Sequence, residues 1–244
     1  MIVLATKLKN HADFKEVLYS SGRRTLLKEY RRKAANLMAT LESSHIQPIV
    51  HGSIARGDVT SKSDIDIFIP EPPSSFLVET ALEKTGISFN VRYVVQATPN
   101  YAMKAHIEID EKTTVSFPLM WMRKIEREFY RFGGELDLSS LQRGFRTVGV
   151  DKRLMLIAPT LKGHLESNIV GREEQTAKIL GASVETVMDR VHALLKRDEV
   201  GRTGVFVKKE LNADEPFELA LKKLAAVNPA VRRRIKRGSY SSGG

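Results

Sequence analysis

Apolar residues recur at helical spacing over residues 13–43, with a break near Ser20-Ser21-Gly22. After the break Leu26, Leu27, Tyr30, Ala34, Leu37, Met38 and Leu41 fall on one side, while Arg23, Arg24, Lys28, Arg31, Arg32 and Lys33 fall on the other. This pattern predicts an amphipathic helix with a solvated basic face. The period then changes to two. Pro48-Ile49-Val50 is a short strand running into a turn, and Ile65, Ile67 and Ile69 alternate with Asp64, Asp66 and Phe68. A short helix over 76–85 ends at Gly86 and a strand follows over 88–96. A hairpin pairs 105–109 with 114–118 around a polar turn at 110–113. This order predicts an α+β fold on a mixed sheet.

Past residue 119 the pattern weakens. A helix is expected over 122–131, ending at Gly133-Gly134, and a strand over 154–158. The cluster Phe129, Tyr130 and Phe132 beside Arg127 and Arg131 reads as a small core with basic edges. From residue 171 the signal is clearer. A helix over 173–180 meets a Gly181-Ala182 turn, and Ser183 caps a second helix to about Arg197. A hairpin is expected over 201–211 with Gly204 at its turn, then a helix over 215–228. A basic run, Arg232, Arg233, Arg234, Lys236 and Arg237, precedes a Gly/Ser tail expected to be disordered.

Composition narrows the function. The chain has 244 residues, a net charge of +10 and no cysteine. Disulfides and thiolate metal sites are therefore excluded, and the positive balance favours an anionic partner, nucleic acid first. The apolar run at the start is too short for a signal peptide, and no run approaches a membrane span; a cytoplasmic location is expected.

The chemistry concentrates in HGSIARGDVTSKSDIDIFIP, residues 51–70. Strand alternation puts Asp64 and Asp66 on one face, about 7 Å apart. Carboxylates that close repel unless a cation lies between them, and Mg²⁺ prefers such oxygen ligands together with substrate phosphates. The Gly52-Ser53 turn can present a hydroxyl to phosphate; Arg56 can bind a triphosphate or brace the loop through Asp58.

Gly-Ser, followed about ten residues later by Asp-x-Asp in a strand, resembles the signature of polymerase-β-like nucleotidyltransferases; the GSIARGD and SDIDIF spellings are similar to minimal and archaeal-type members. The resemblance implies an NTP substrate, two Mg²⁺ ions held by Asp64 and Asp66, and a third carboxylate on a later strand. Val115-Ser116-Phe117-Pro118 is similar to that strand but carries Ser116 at the expected acidic position. Glu108, across the hairpin, is then the candidate third metal ligand and catalytic carboxylate, with Asp110 the alternative. Gly52, Ser53 and Arg56 are the candidate nucleotide-binding residues. The helix, turn, helix and hairpin after residue 171 resemble a winged helix-turn-helix, with Arg202, Lys208, Lys209, Arg232, Arg233 and Arg234 as candidate nucleic-acid contacts. The expected organisation is a nucleotidyltransferase-like domain over 1–165, a winged-helix domain over 166–232 and a tail over 233–244. The expected activity is metal-dependent transfer of a nucleoside monophosphate to a hydroxyl, on RNA for instance. The alternative is a nucleic-acid-binding regulator, RNA or DNA, with a degenerate nucleotide-sensing domain.

Overall fold

Alternating isoleucines need a covered face, and the chain supplies it by folding helices onto one side of a sheet. A computed structural model describes residues 14–89, 91–201 and 204–239. In chain order its elements are β1 (Lys15–Leu18), α1 (Ser21–Glu42), β2 (Ile49–His51), α2 (Ser53–Arg56), β3 (Ile65–Phe68), α3 (Ser75–Lys84), β4 (Val91–Gln96), β5 (Lys104–Asp110) and β6 (Thr113–Pro118). There follow α4 (Lys124–Gly133), β7 (Glu135–Leu136), α5 (Leu138–Gln142), β8 (Gly149–Val150), β9 (Met155–Pro159), β10 (Gly163–Asn168), α6 (Glu173–Leu180), α7 (Val184–Val200), β11 (Val207–Glu210), α8 (Phe217–Val227) and α9 (Pro229–Ser239).

Among the described residues the strands make two sheets, one in the order β11-β4-β5-β6-β3-β2-β7 and one in the order β1-β10-β9-β8. In the larger sheet β3 runs parallel to β6, and the other pairs are antiparallel. Ile65, Ile67, Val115, Phe117, Ala105, Ile107 and Val94 are buried on its covered face against Ala34, Leu37, Met38 and Leu41 of α1, Val78, Ala81 and Leu82 of α3, and Phe217 and Ala220 of α8. A second core, including Phe132, Val150, Leu156, Ile169, Val187 and Val191, joins the smaller sheet to α4, α6 and α7.

Several expectations are corrected. The helix predicted from residue 13 begins only at Ser21, capped by the Ser20 hydroxyl, which accepts from the Arg23 N–H at 3.2 Å. Residues 15–18 instead pair with β10, Lys15 opposite Glu166 and Val17 opposite His164. The hairpin expected over 201–211 is, in its described part, the single strand β11, which adds to the edge of the large sheet with Lys209 opposite Val94. Among the described residues this segment pairs with β4, completing a ladder that a free hairpin would leave open. Helices α8 and α9 likewise return to the first core through Phe217, Ala220 and Val231. The α6–α7 pair does form, with its tight turn at Gly181, but it packs on the smaller sheet. Glu166, where the second domain was expected to begin, lies within β10.

The basic run is also not a tail: residues 229–239 form α9. Arg234 is buried, and its guanidinium donates to the carbonyls of Asn100 at 3.0 Å and Trp121 at 2.8 Å and to the Glu126 carboxylate at 3.1 Å. It is thus a structural residue rather than a nucleic-acid contact. Arg232 donates to the Ala225 and Ala226 carbonyls at the end of α8. Lys209 pairs with Glu215 at 2.7 Å, and Lys208 lies over the Tyr93 ring at 4.8 Å. Arg202 and residues 240–244 lie outside the described residues.

Removing Arg234 takes from the Glu126 carboxylate its buried cationic partner and leaves it the more exposed Arg123 and two backbone N–H groups, so Arg234→Ala is expected to cost about 3 kcal/mol. The exposed neighbour should matter little: Arg233→Ala is expected to change stability by less than about 0.5 kcal/mol. Urea denaturation of the two variants checks the contrast.

Candidate functional site

The strand β3 sets the site. Its covered residues lock the register, which forces Asp64, Asp66 and Phe68 onto the opposite face. Both aspartates line a cleft of about 700 Å³. Neither carboxylate has a hydrogen bond or ion pair with a described residue. Burial pushes the Asp66 carboxyl upward, opposed only in part by the charge of Lys152. These oxygen donors fit a hard divalent cation that brings its own phosphate ligands. Among the described residues, however, no group of three acidic, His or Cys side chains is placed to hold a metal ion.

The turn before β3 lies on the same wall. Gly52 has φ 72° and ψ −141°, a conformation that essentially only glycine adopts, and its N–H donates to the Gly134 carbonyl at 2.9 Å. Ser53 follows at the start of α2 and donates to the Ser63 hydroxyl at 3.1 Å; both line the cleft. Arg56 also lines it, but its guanidinium is fully engaged. It binds both Asp58 oxygens at 3.0 and 2.9 Å and donates to the Gly133 carbonyl at 2.5 Å. Of the two roles open to Arg56, the geometry is that of the brace.

Glu108 is not brought to the aspartates. Asp66 lies opposite Thr114, and Thr114 opposite Glu108, so the two acids share a face two strand spacings apart, about 10 Å. Glu108 does not line the cleft; it accepts a hydrogen bond from Tyr93, whose phenol is pushed up to about 12, first by burial and then by the Glu108 charge. Ser116 lies opposite Phe68 and His106. Asp110 lies at the hairpin turn, where it accepts from the Lys112 N–H at 2.9 Å and meets Lys33 at 3.9 Å.

The far wall of the cleft comes from elements whose role the sequence pattern did not reveal. Lys152, Arg190 and Arg197 line it together with Arg23 and Lys62, and none of these has a carboxylate partner among the described residues. Arg190, Leu194 and Arg197 recur at helical spacing on α7, so one helix face points inward; that spacing was the available signal. The Arg190 guanidinium lies over the Phe129 ring at 4.8 Å, and its Nε is buried without a hydrogen bond. Phe129 therefore lines the cleft, while Tyr130 is core, stacked on Phe68. His164 lines the end near β1, joined to Tyr19 by a 2.8 Å hydrogen bond.

Residues 31–131 match the family model of the Nucleotidyltransferase domain. The matched residues include Gly52, Ser53, Arg56, Asp64, Asp66 and Glu108; Lys152, Arg190 and Arg197 lie beyond them. No curated protein matches the chain. A solved structure described as the complex of a CCA-adding enzyme with ATP is similar at 12% identity and a TM-score of 0.33, covering 91% of this chain and 50% of that one. This chain thus spans about half the length of that one. No helix among the described residues is long and apolar enough to cross a membrane.

Behind Tyr130, strand β5 carries an unusual lysine. Lys104 donates to the Tyr130 hydroxyl at 2.8 Å, and burial lowers it to about 8, against the opposing charge of Glu126. Below pH 8 both folded and unfolded forms carry the proton, and the burial penalty is fully present. Between about 8 and 10.5 the unfolded chain binds more protons, so the penalty falls as pH rises. The stability deficit of the wild type relative to Lys104→Met is expected to narrow across that window, as followed by urea denaturation at several pH values.

Proposed function

We propose that the protein is a metal-dependent nucleotidyltransferase that moves a nucleoside monophosphate from an NTP to a hydroxyl acceptor and releases pyrophosphate. The observation that carries this reading is the pair of unpartnered carboxylates, Asp64 and Asp66, in a cleft whose other free charges are cationic. A triphosphate has the complementary charge. Lys62, Lys152, Arg190 and Arg197 would draw its oxygens, and the Ser53 hydroxyl would donate to one of them. Phe129 backed by Arg190 offers a flat surface for the base. Arg56 and Asp58 keep the loop in place while the charge enters. Asp64 and Asp66 would hold Mg²⁺, which supplies neutralisation of the triphosphate and a lowered pKa for the attacking hydroxyl. In the transfer, the acceptor oxygen bonds to the α-phosphorus, the bond to the β-phosphate bridge breaks, and the hydroxyl proton leaves to solvent. The protein's share is positioning and charge stabilisation. An RNA 3′ end is the acceptor that the net charge of +10 favours.

One observation favours a second reading: no third carboxylate stands with Asp64 and Asp66 among the described residues. A protein that binds the triphosphate without transferring it, and regulates through nucleic acid, would need none.

Incubation with each α-labelled NTP, Mg²⁺ and bulk RNA decides between them. Label is expected in RNA, falling about a thousandfold in Asp64→Asn or Asp66→Asn. Glu108→Gln is expected to lower transfer less than about tenfold, because Glu108 acts at a distance; a loss matching Asp66→Asn would restore it as the third ligand. Metal-dependent triphosphate binding with no transfer to RNA, protein or small hydroxyl compounds would establish the second reading instead.

A further inference from the structure

A second recess, of about 380 Å³, lies at the opposite end of α4 from the cleft. Trp121, Arg123, Arg233 and Arg237 line it, with Asn100 and Pro99 at its edge, and no carboxylate faces it. Trp121 is 48% exposed, an unusual state for so large an apolar ring. The wall behind it is built: the buried Arg234 holds α9 to the Asn100 and Trp121 carbonyls and to Glu126. Arg233 and Arg237 are four residues apart on α9, so their guanidinium groups share one face, about 6 Å apart along the axis. Both are exposed, and neither has a carboxylate partner among the described residues. Arg123 stands across from them, paired with Glu126 at 3.2 Å and lying over Tyr101 at 5.1 Å.

From this arrangement we propose that the recess binds single-stranded nucleic acid, with an unstacked base on Trp121 and the flanking phosphates on Arg233 and Arg237. The chemistry selects this ligand. A half-exposed indole offers a flat face to a base that has left its own stack, which a duplex does not provide. Unpaired arginines in a recess without carboxylates attract phosphate, and an acidic peptide would leave the indole unused. The basic cluster that the sequence offers for nucleic acid is thereby divided: Arg234 builds the wall, Arg232 caps α8, and Arg233 meets the ligand, joined by Arg237 and Trp121.

Placement gives the site a use. Helix α4 starts beside Arg123 and ends at Phe132 and Gly133, which line the cleft. Ten residues of helix span about 15 Å. A strand seated on Trp121 could therefore run along α4 toward Asp66 as the acceptor. That link rests on the transferase reading; binding at the recess does not.

Trp121 is the chain's only tryptophan, so its fluorescence reports this recess alone. The full chain would be titrated with an eight-nucleotide oligoadenylate at low salt. Saturable quenching is expected. Arg233→Glu/Arg237→Glu should weaken binding at least tenfold and flatten the plot of log K against log salt by about 1.4, the share of two phosphate contacts on a single strand. In Trp121→Ala, followed through a labelled oligonucleotide's anisotropy, binding should fall about tenfold. Far-UV circular dichroism would verify folding of both variants. Absence of quenching, unchanged affinity in the double variant, or an equal response to AMP or to a polyglutamate peptide would overturn the proposal. Asp64→Asn/Asp66→Asn should bind the oligonucleotide as the wild type does. Quenching without transfer would thus count against the transferase reading alone, and transfer without quenching against the recess alone.

Discussion

A single buried carboxylate, Glu128 on α4, fixes where the far wall of the cleft stands. It accepts from the Ser183 N–H at 2.9 Å, the Ser183 hydroxyl at 2.5 Å and the Thr186 hydroxyl at 2.6 Å, at the first turn of α7. Burial alone would raise its pKa. The three hydrogen bonds, aided by Lys124, overcome that and hold it down to about 2. The carboxylate therefore stays charged at any ordinary pH, and its stabilisation is lost only in strong acid, as pH falls from the unfolded value near 4.5 through 2. An anion at a helix start also favours the α7 dipole. With α7 pinned at its first turn, Arg190 and Arg197 are carried over the cleft opposite Asp64 and Asp66. Two residues earlier on α4, on nearly the opposite face and on the same principle, Glu126 gathers the Ala102 and Arg123 N–H groups and Arg234, and so fixes α9. Helix α4 thus anchors both recesses at opposite ends of one rigid element.

The two acidic anchors explain which parts of the protein were legible in the sequence. The β3 strand could be read from Ile65, Ile67 and Ile69 because its period is local and its covered face is apolar throughout. The same holds for α1, α3, the β5–β6 hairpin and the α6–α7 pair, whose partners are near in sequence or whose stripes are strong. The strand at residues 15–18 could not be read, since its partner β10 lies at residues 163–168 and nothing local excludes helix. Strand β11 differs from the expected hairpin for a similar reason: its short Val-Lys-Lys-Glu segment pairs with an open edge that lies more than a hundred residues earlier, on β4. Arg234 looked like its neighbours in a basic run, and only the Glu126 carboxylate, 108 residues away, makes it different.

The site divides the same way. Gly52, Ser53, Asp64 and Asp66 are set by local geometry, one turn and one strand, and all of them line the cleft. Glu108 is set by register. Alternation puts it on one face with Ser116 but says nothing of lateral distance, and Thr114 on β6 stands between Glu108 and Asp66. The cations from Lys152 to Arg197 belong to a wall whose position depends on Glu128, so their role emerges only once α4 and α7 are docked.

That dependence has a chemical consequence. Within residues 31–131, Asp64 and Asp66 give the cleft negative charge, and Arg56 is neutralised by Asp58. A triphosphate approaching this half alone would meet repulsion offset only by Lys62 and a bound cation. Beyond Lys62, the compensating charge comes from outside the matched residues: Arg23 on α1, Lys152 between β8 and β9, and Arg190 and Arg197 on α7. Coulomb attraction at these distances is weak in open water and several times stronger in a cleft that excludes it. The added elements therefore both supply the charge and lower the local dielectric in which it acts. On the proposed reading, selection of a highly charged substrate is a property of the docked structure, and the motif around Asp64 and Asp66 accounts for only part of it.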